Sequence, residues 1–125
     1  MNDKRPVNLD IGTISLPITA YTSILHRVSG VVLFFATGIL LWMLDASLAS
    51  QESFDSLKAI LTSPFAKLVL WGILAALVYH LIAGIRHLFM DFGIGETLEG
   101  GVLGARIVIG FAALSIIIVG AWIWL

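Results

Sequence analysis

The sequence predicts an all-α membrane protein with three transmembrane helices that run up, down and up through the bilayer. Of its 125 residues, 59% are hydrophobic and only 12% are charged, which is unusual for a soluble domain. No charge occurs in the 17 residues between Arg27 and Asp45, the 18 between Lys67 and Arg86, or the 19 that follow Arg106. At about 1.5 Å per residue, each stretch with its helical flanks crosses a hydrocarbon core of about 30 Å. This distribution of charge excludes an apolar but soluble core.

The chain divides into an N-terminal arm, residues 1–18, and a single transmembrane domain, residues 19–125. Pro6 and Pro17 prevent the arm from forming one regular helix. Pro64 marks the entry to the second spanning helix, because proline is favoured in the first turn of a helix. The expected spanning helices cover residues of about 19–48, 65–92 and 102–125.

The two connections differ in composition. The first is polar but carries four apolar residues at helical spacing, which predicts a short helix lying in the membrane interface: Phe54, Leu57, Ile60 and Leu61. The second is rich in glycine, which predicts a flexible connection: Gly93, Gly95, Gly100, Gly101 and Gly104.

The basic residues and the tryptophans predict the orientation. Five of the seven Lys and Arg residues belong to the N-terminal end and the second connection, and two belong to the first connection. Because cytoplasmic loops are enriched in Lys and Arg, we expect the N-terminus in the cytoplasm and the C-terminus outside. On this path four tryptophans fall at the outer boundary, as in an aromatic belt: Trp42, Trp71, Trp122 and Trp124.

The composition also excludes several kinds of chemistry. The chain has no cysteine, which removes disulfides, cysteine-ligated iron–sulfur clusters and covalent haem attachment. A net charge of −1 gives no basic surface for nucleic acid.

Polar residues collect at the inner ends of the first two spanning helices, which indicates a single site near the cytoplasmic face. Such residues are costly in a membrane and usually functional. They are Ser23, His26, Arg27 and Ser29 on the first helix, and His80, Arg86 and His87 on the second.

His80 is the deepest of these residues. It follows Gly72 and Ala76 and precedes Gly84 at intervals of four, so the four residues form a stripe on one helix face. Small residues let another backbone or a flat macrocycle lie against the helix. The spacing leaves three interpretations open: a packing stripe with His80 hydrogen-bonded to a neighbouring helix, a ligand of haem iron, or a proton relay.

Ser23 and Arg27 lie four residues apart on one helix face. A hydroxyl donor beside a fixed cation suits a carbonyl oxygen that gains negative charge, as a quinone oxygen does on reduction. The alternative is that Arg27 reaches the lipid phosphates as an ordinary boundary anchor.

Three segments resemble the cytochrome b556 subunit family of succinate dehydrogenase, the larger of the two membrane anchors of complex II. They are Arg5-Pro-Val-Asn-Leu-Asp10, Ser23-Ile-Leu-His-Arg-Val-Ser-Gly30 and Tyr79-His-Leu-Ile-Ala-Gly-Ile-Arg-His-Leu-Phe-Met-Asp91. The resemblance covers roughly residues 5–93, and the third helix is similar only in character.

This resemblance implies the roles of individual residues. His80 is expected to be an axial ligand of haem b, and Ser23 and Arg27 to line the ubiquinone site, with Ile24 as an apolar wall. His26, Arg27 and His87 are expected to contact the haem propionates or the surroundings of the ligand histidine.

The resemblance also implies partners and a location. The chain is expected to form half of a heterodimeric helical bundle around haem b, with a smaller anchor subunit supplying the second iron ligand. Succinate would be oxidised on a flavoprotein subunit and electrons would pass through an iron–sulfur subunit, at a bacterial inner membrane. The alternatives are the anchor of a quinol:fumarate reductase, or a structural or transport subunit without haem.

Overall fold

The computed structural model of the chain describes residues 7–125, which form four α-helices and their connections. The helices are α1 (Ile18–Ala49), α2 (Gln51–Leu61), α3 (Pro64–Asp91) and α4 (Leu98–Trp124). Helices α1, α3 and α4 are each long and apolar enough to cross a membrane. The predicted fold class, an all-α protein with three membrane-spanning helices, is therefore confirmed. Lys4, Arg5 and Pro6 of the predicted arm lie outside the described residues.

Short polar side chains set the starts of the helices. Ser63 accepts a hydrogen bond from the amide of Ala66, and Pro64 occupies the first turn of α3, as the sequence predicts. Ser50 caps α2 in the same way, so the expected short helix of the first connection is present, with Leu57 buried. Its location at the membrane interface stays a prediction.

Helix α4 begins earlier than expected, at Leu98 rather than at about residue 102. Thr97 accepts a hydrogen bond from the amide of Gly100, and this cap offsets the weak helix propensity of the glycines that follow. Gly100, Gly101 and Gly104 therefore lie inside α4, and the expectation that they belong to a flexible connection is wrong. Gly93 and Gly95 do belong to the connection, with φ angles of 81° and 75° that favour glycine.

Helix α3 packs against both α1 and α4, and α1 also contacts α4. In the middle of its contact with α4, Tyr79, Ala83, Val108 and Ala112 form a buried cluster, with Ile82 against it. In lipid there is no hydrophobic gain from joining two helices, so close backbone approach through small side chains supplies the attraction.

Near the N-terminal end of α3, Trp71 fixes this helix against α4. Its indole Nε1 donates a hydrogen bond to the carbonyl of Ile116 at 3.0 Å. A Cβ atom on Gly120 would lie only 2.9 Å from the indole, so a glycine is needed there. Trp42 and Trp122 are exposed, as residues of an aromatic belt would be, whereas Trp71 is a packing residue between two helices.

Candidate histidine site between α1 and α3

The site begins with a seam of buried residues on α1. Thr22, Ser29 and Ala36 are all buried and are spaced seven residues apart, which is about two helical turns. His26 lies on the same side of the helix, since it is four residues after Thr22. The seam faces α3 at Tyr79 and His80, where direct hydrogen bonds join the two helices.

Three histidines meet at this seam. The rings of His26 and His80 are stacked, with centroids 4.1 Å apart and planes only 8° from parallel. His87, two turns along α3 from His80, places its ring centroid 5.1 Å from that of His26 at an angle of 51°. His26 and His80 are partly buried, and His87 is exposed. The structure therefore joins all three histidines, as the polar-residue map predicts.

The His80 ring is held by hydrogen bonds to one of its nitrogens. Nδ1 lies 3.0 Å from the hydroxyl oxygen of Ser29 and 3.2 Å from the carbonyl oxygen of His26. The Ser29 hydroxyl in turn donates to the same carbonyl at 2.8 Å. Because both contacts use Nδ1, the opposite nitrogen, Nε2, has no hydrogen-bond partner within residues 7–125.

Glycines make room for two of the rings. A Cβ atom on Gly30 of α1 would lie 3.2 Å from Cε1 of His80, which is tighter than ordinary contact. A Cβ atom on Gly84 of α3 would lie 3.8 Å from Nε2 of His26, an ordinary contact. Gly72, at the other end of the predicted stripe, has no neighbour within 4 Å. The stripe therefore faces α1 only at its inner end.

His26 differs from His80 in how its ring nitrogens are placed. Its Nε2 is buried and has no hydrogen-bond partner within the part of the chain that the structure describes. A buried polar group without a partner costs roughly 1–3 kcal/mol. In this arrangement His26 packs its ring face on His80, and its Nε2 is closed to a ligand.

Tyr79, the residue before His80, ties the same two helices together. Its hydroxyl donates a hydrogen bond to the backbone carbonyl of Thr22 at 2.8 Å, and both residues are buried. Thr22 directly precedes Ser23. The link therefore sets the position of Ser23 on α1 relative to His80 on α3.

The residues expected at the quinone lie beside the histidine cluster and around the surface of α1. Ser23 is partly buried next to the seam. Ile24 is 43% exposed and Arg27 is also exposed. A molecule or a second subunit lying against this face of α1 would reach all three side chains.

Arg86 lies against α4. Its Nη2 donates to the carbonyl of Gly101 at 3.2 Å, and a Cβ atom on Gly104 would lie 3.2 Å from its Nε. The missing side chain of Gly104 therefore leaves space for the guanidinium. Arg86 also lines an apolar cavity of about 470 Å³ between α3 and α4. That Arg86 belongs to the same site as His80 stays a prediction.

The side chains of this chain do not build a metal centre by themselves. Within residues 7–125 there is no group of three or more His, Cys, Asp or Glu residues that could hold a metal ion. His80, with one nitrogen fixed and the other unpaired, is suited to give a single ligand to a metal that has further ligands elsewhere.

Four residues of the site have no role in the predictions from sequence: Thr22, Ser29, Gly30 and Tyr79. Ser29 is included among the polar residues of the predicted site, but its contact with His80 is not predicted, nor is the link between Thr22 and Tyr79. A signal was available: Thr22, His26 and Ser29 follow one another at intervals of four and three, so polar and small residues mark the α3-facing side of α1.

Fold and site together define a multi-pass membrane protein with a polar histidine site between two spanning helices. Comparisons with known proteins identify the class further. The family described as "Succinate dehydrogenase/Fumarate reductase transmembrane subunit" matches residues 1–119. The succinate dehydrogenase cytochrome b556 subunit of Coxiella burnetii is 42% identical, over 99% of this chain and 100% of the relative.

Two further relatives agree. The cytochrome b556 subunit of Paracoccus denitrificans is 36% identical over 76% of this chain and 73% of the relative. The succinate dehydrogenase cytochrome b560 subunit of Reclinomonas americana is 36% identical over 98% of this chain and 88% of the relative. The chain belongs to the family of succinate dehydrogenase cytochrome b556 subunits, the transmembrane subunits of complex II, and the predicted family is confirmed.

Proposed function

We propose that this membrane-anchor subunit binds haem b through His80 and lines a ubiquinone-reduction site with Ser23, Ile24 and Arg27. The proposal extends the anchor role of the family to particular residues and a particular cofactor. The observation that carries it is the arrangement of His80, which lies within a spanning helix with one ring nitrogen fixed and the other unpaired.

The surroundings of His80 suit a haem ligand. A histidine that binds iron almost always donates a hydrogen bond from its other ring nitrogen to an oxygen of the protein. Nδ1 of His80 has two such oxygens, from Ser29 and His26, and Nε2 is left for iron. His80 lies 11 residues before the end of α3 at Asp91, or about 16 Å of helix, which is well inside the hydrocarbon region.

When bound, the haem would supply one-electron storage next to the quinone. Haem iron in a cytochrome of this kind has two axial ligands. His26 is turned onto His80 and His87 is exposed near the inner end of α3, so His80 is the one ligand that this chain offers. The second ligand would come from a smaller anchor subunit that packs on the exposed faces of α1 and α3. Arg27 and His87 would contact the haem propionates, and His26 would support the ring of His80.

Removal of His80 tests the haem assignment. His80→Ala should abolish haem binding in the purified complex, because the unpaired ring nitrogen of the neighbouring His26, Nε2, is buried and so does not reach a ligand outside the helix pair. His87→Ala is the matched control and should leave the haem bound. The visible spectrum and haem content per complex measure the result. Wild-type haem content in the His80→Ala complex would contradict the assignment.

The quinone site rests on the pairing of a hydroxyl and a cation at one edge of α1. Ser23 would donate a hydrogen bond to a quinone oxygen, Arg27 would stabilise the negative charge that develops on it, and Ile24 would contact the ring. The exposure of Ile24 and Arg27 leaves this face open to a small molecule or a partner subunit. The link from Tyr79 to Thr22 fixes this edge relative to the haem ligand.

Two substitutions test the quinone site. Ser23→Ala and Arg27→Leu should each lower succinate-to-quinone turnover about 10- to 100-fold, since a charged hydrogen bond contributes about 1.5–3 kcal/mol. Succinate oxidation by an artificial acceptor should be unchanged, because the acceptor takes its electrons from the soluble subunits. Arg106→Leu, which removes another exposed arginine, is the matched control. Wild-type quinone turnover in both variants would make Arg27 a lipid anchor.

The remaining steps would belong to partner proteins. With no cysteine in the chain, cysteine-ligated iron–sulfur clusters must reside on another subunit, and succinate would be oxidised on a flavoprotein. The distribution of Lys and Arg supports a cytoplasmic N-terminus, and the proposed location is a bacterial inner membrane. Single cysteines at the exposed positions Asn8 and Ser56 should then label from opposite sides of the membrane, and labelling from one side would contradict the orientation.

A fumarate reductase anchor is the second candidate, because the matched family includes both enzymes. The relatives reported above are named as succinate dehydrogenase subunits, which favours quinone reduction. Comparing succinate:quinone and quinol:fumarate turnover in the same purified complex decides whether it works mainly in the direction of quinone reduction or of fumarate reduction.

A further inference from the structure

We propose that Ser29 is a positioning residue for haem, in that its hydroxyl accepts a second hydrogen bond from Nδ1 of His80, orients the ring and tunes the reduction potential of the iron that His80 binds. The proposal rests on the proposed function, because it takes His80 as an iron ligand. Ser29 is 6% exposed and lies on a different helix from His80, 51 positions away in the chain.

The hydrogen bonds around Nδ1 determine which nitrogen carries the proton. The carbonyl oxygen of His26 can only accept a hydrogen bond, and it lies 3.2 Å from Nδ1. The Ser29 hydroxyl directs its own proton to this carbonyl, at 2.8 Å, and so turns a lone pair toward Nδ1 at 3.0 Å. Both neighbours of Nδ1 therefore accept, so Nδ1 carries the proton and Nε2 carries the lone pair that iron requires.

Packing holds the ring in the orientation that these bonds need. The His26 ring covers one face of the His80 ring at 4.1 Å and nearly parallel. Gly30, the neighbour of Ser29, lets the ring edge approach α1 so closely that a Cβ atom would be 3.2 Å from Cε1. Ser29 and Gly30 therefore both act on His80. Ser29 supplies a hydrogen-bond acceptor at Nδ1, and Gly30, which has no side chain, leaves space for Cε1.

The hydroxyl has an electronic consequence for a bound iron. An acceptor at Nδ1–H draws the proton away from the ring and makes Nε2 a stronger base. A stronger base favours ferric over ferrous iron, because the ferric ion has the higher charge. Removing the hydroxyl leaves the His26 carbonyl as the single acceptor, so the reduction potential should rise and the ligand should be held less firmly.

Substitution of Ser29 in the whole purified complex tests the proposal. Ser29→Ala should still bind haem, but with a higher midpoint potential, a changed low-spin ferric spectrum and about 10-fold weaker retention of haem. Ser29→Thr, which keeps a hydroxyl, should return the potential toward wild type. Ser47→Ala is the matched control: Ser47 is also on α1 and makes the same bond to the carbonyl three residues before it, that of Leu44 at 2.7 Å, but does not contact His80.

The outcomes separate this inference from the proposed function. An unchanged or lower potential in a haem-loaded Ser29→Ala complex would overturn the role of Ser29 and leave His80 as the ligand. Retention of haem by His80→Ala would overturn the proposed function itself. If Ser29→Ala does not assemble, Ser29→Cys keeps the shape with a weaker acceptor, and it should show a smaller rise in potential. No rise in that variant would equally overturn the proposal.

Discussion

The middle of the contact between α3 and α4 is apolar, whereas α3 meets α1 through two histidines and a serine, and Tyr79 belongs to both contacts. The contact with α4 contains Ala83, Val108 and Ala112, with hydrogen bonds from Trp71 and Arg86 toward its two ends. The contact with α1 contains Ser29 and the two stacked rings described above. Both contacts lie within helices that cross the membrane, so the lipid environment does not explain the difference.

The difference between the two contacts indicates that the α3–α4 contact serves packing and that the α1–α3 contact serves function. Close contact between small residues is enough to hold two helices together in lipid, as α3 and α4 show. Polar side chains at membrane depth are costly, and their concentration between α1 and α3 is typical of a site that binds a ligand or transfers charge. Glycine serves both contacts, since Gly120 admits an indole ring and Gly30 admits an imidazole ring.

The largest effect is expected at the packing contact. Gly120→Ala would place a Cβ atom 2.9 Å from the rigid indole of Trp71, and such overpacking costs about 1–3 kcal/mol. The thermal midpoint of the purified complex should fall while the haem spectrum of the surviving complex stays unchanged. Gly110→Ala is the control, because Gly110 is on the same helix and has no neighbour within 4 Å. Equal midpoints for the two variants would contradict the packing role of Gly120.

At the polar contact between α1 and α3, a substitution should change haem affinity more than thermal stability. Gly30→Ala would press on the His80 ring from 3.2 Å, and we expect the strain to appear as roughly 10-fold weaker haem affinity with a small change in thermal midpoint. Gly38→Ala, on the same helix with open space around it, should leave haem affinity unchanged. Titrating haem into haem-depleted complexes that carry Gly30→Ala or Gly38→Ala measures the difference in haem affinity. A large loss of stability at unchanged haem affinity would mean that Gly30 serves packing alone.

The smallest effect is expected at Tyr79. Tyr79→Phe removes the hydrogen bond to the carbonyl of Thr22 and should lower stability by about 1 kcal/mol, since hydrogen bonds between membrane helices contribute little. The KM for quinone should rise slightly, because Ser23 is no longer held in place. Tyr21→Phe is the control, as Tyr21 is 50% exposed. Identical KM values for the two variants would show that the link does not position Ser23.

Most of the fold could be predicted from the sequence, because the uncharged stretches and Pro64 define the helices. The predicted start of α4 is too late, because a segment rich in glycine is typical of a loop. In the structure the cap at Thr97 starts the helix before these glycines. The sequence places Arg86 at the same end of the helix as His87, but it does not predict the partner of the guanidinium. That partner is the carbonyl of Gly101, which the close approach of α4 supplies.

The sequence by itself determined the membrane class, the three spanning helices and the family, since these depend on the order and kind of residues along the chain. It also placed Ser23, Arg27 and His80 at one end of the bundle. Only the tertiary structure decided how the side chains pair. Whether His80 meets Ser29, His26 or α4 depends on the rotation of α1 about α3, and that rotation is set by contacts between residues more than 50 positions apart.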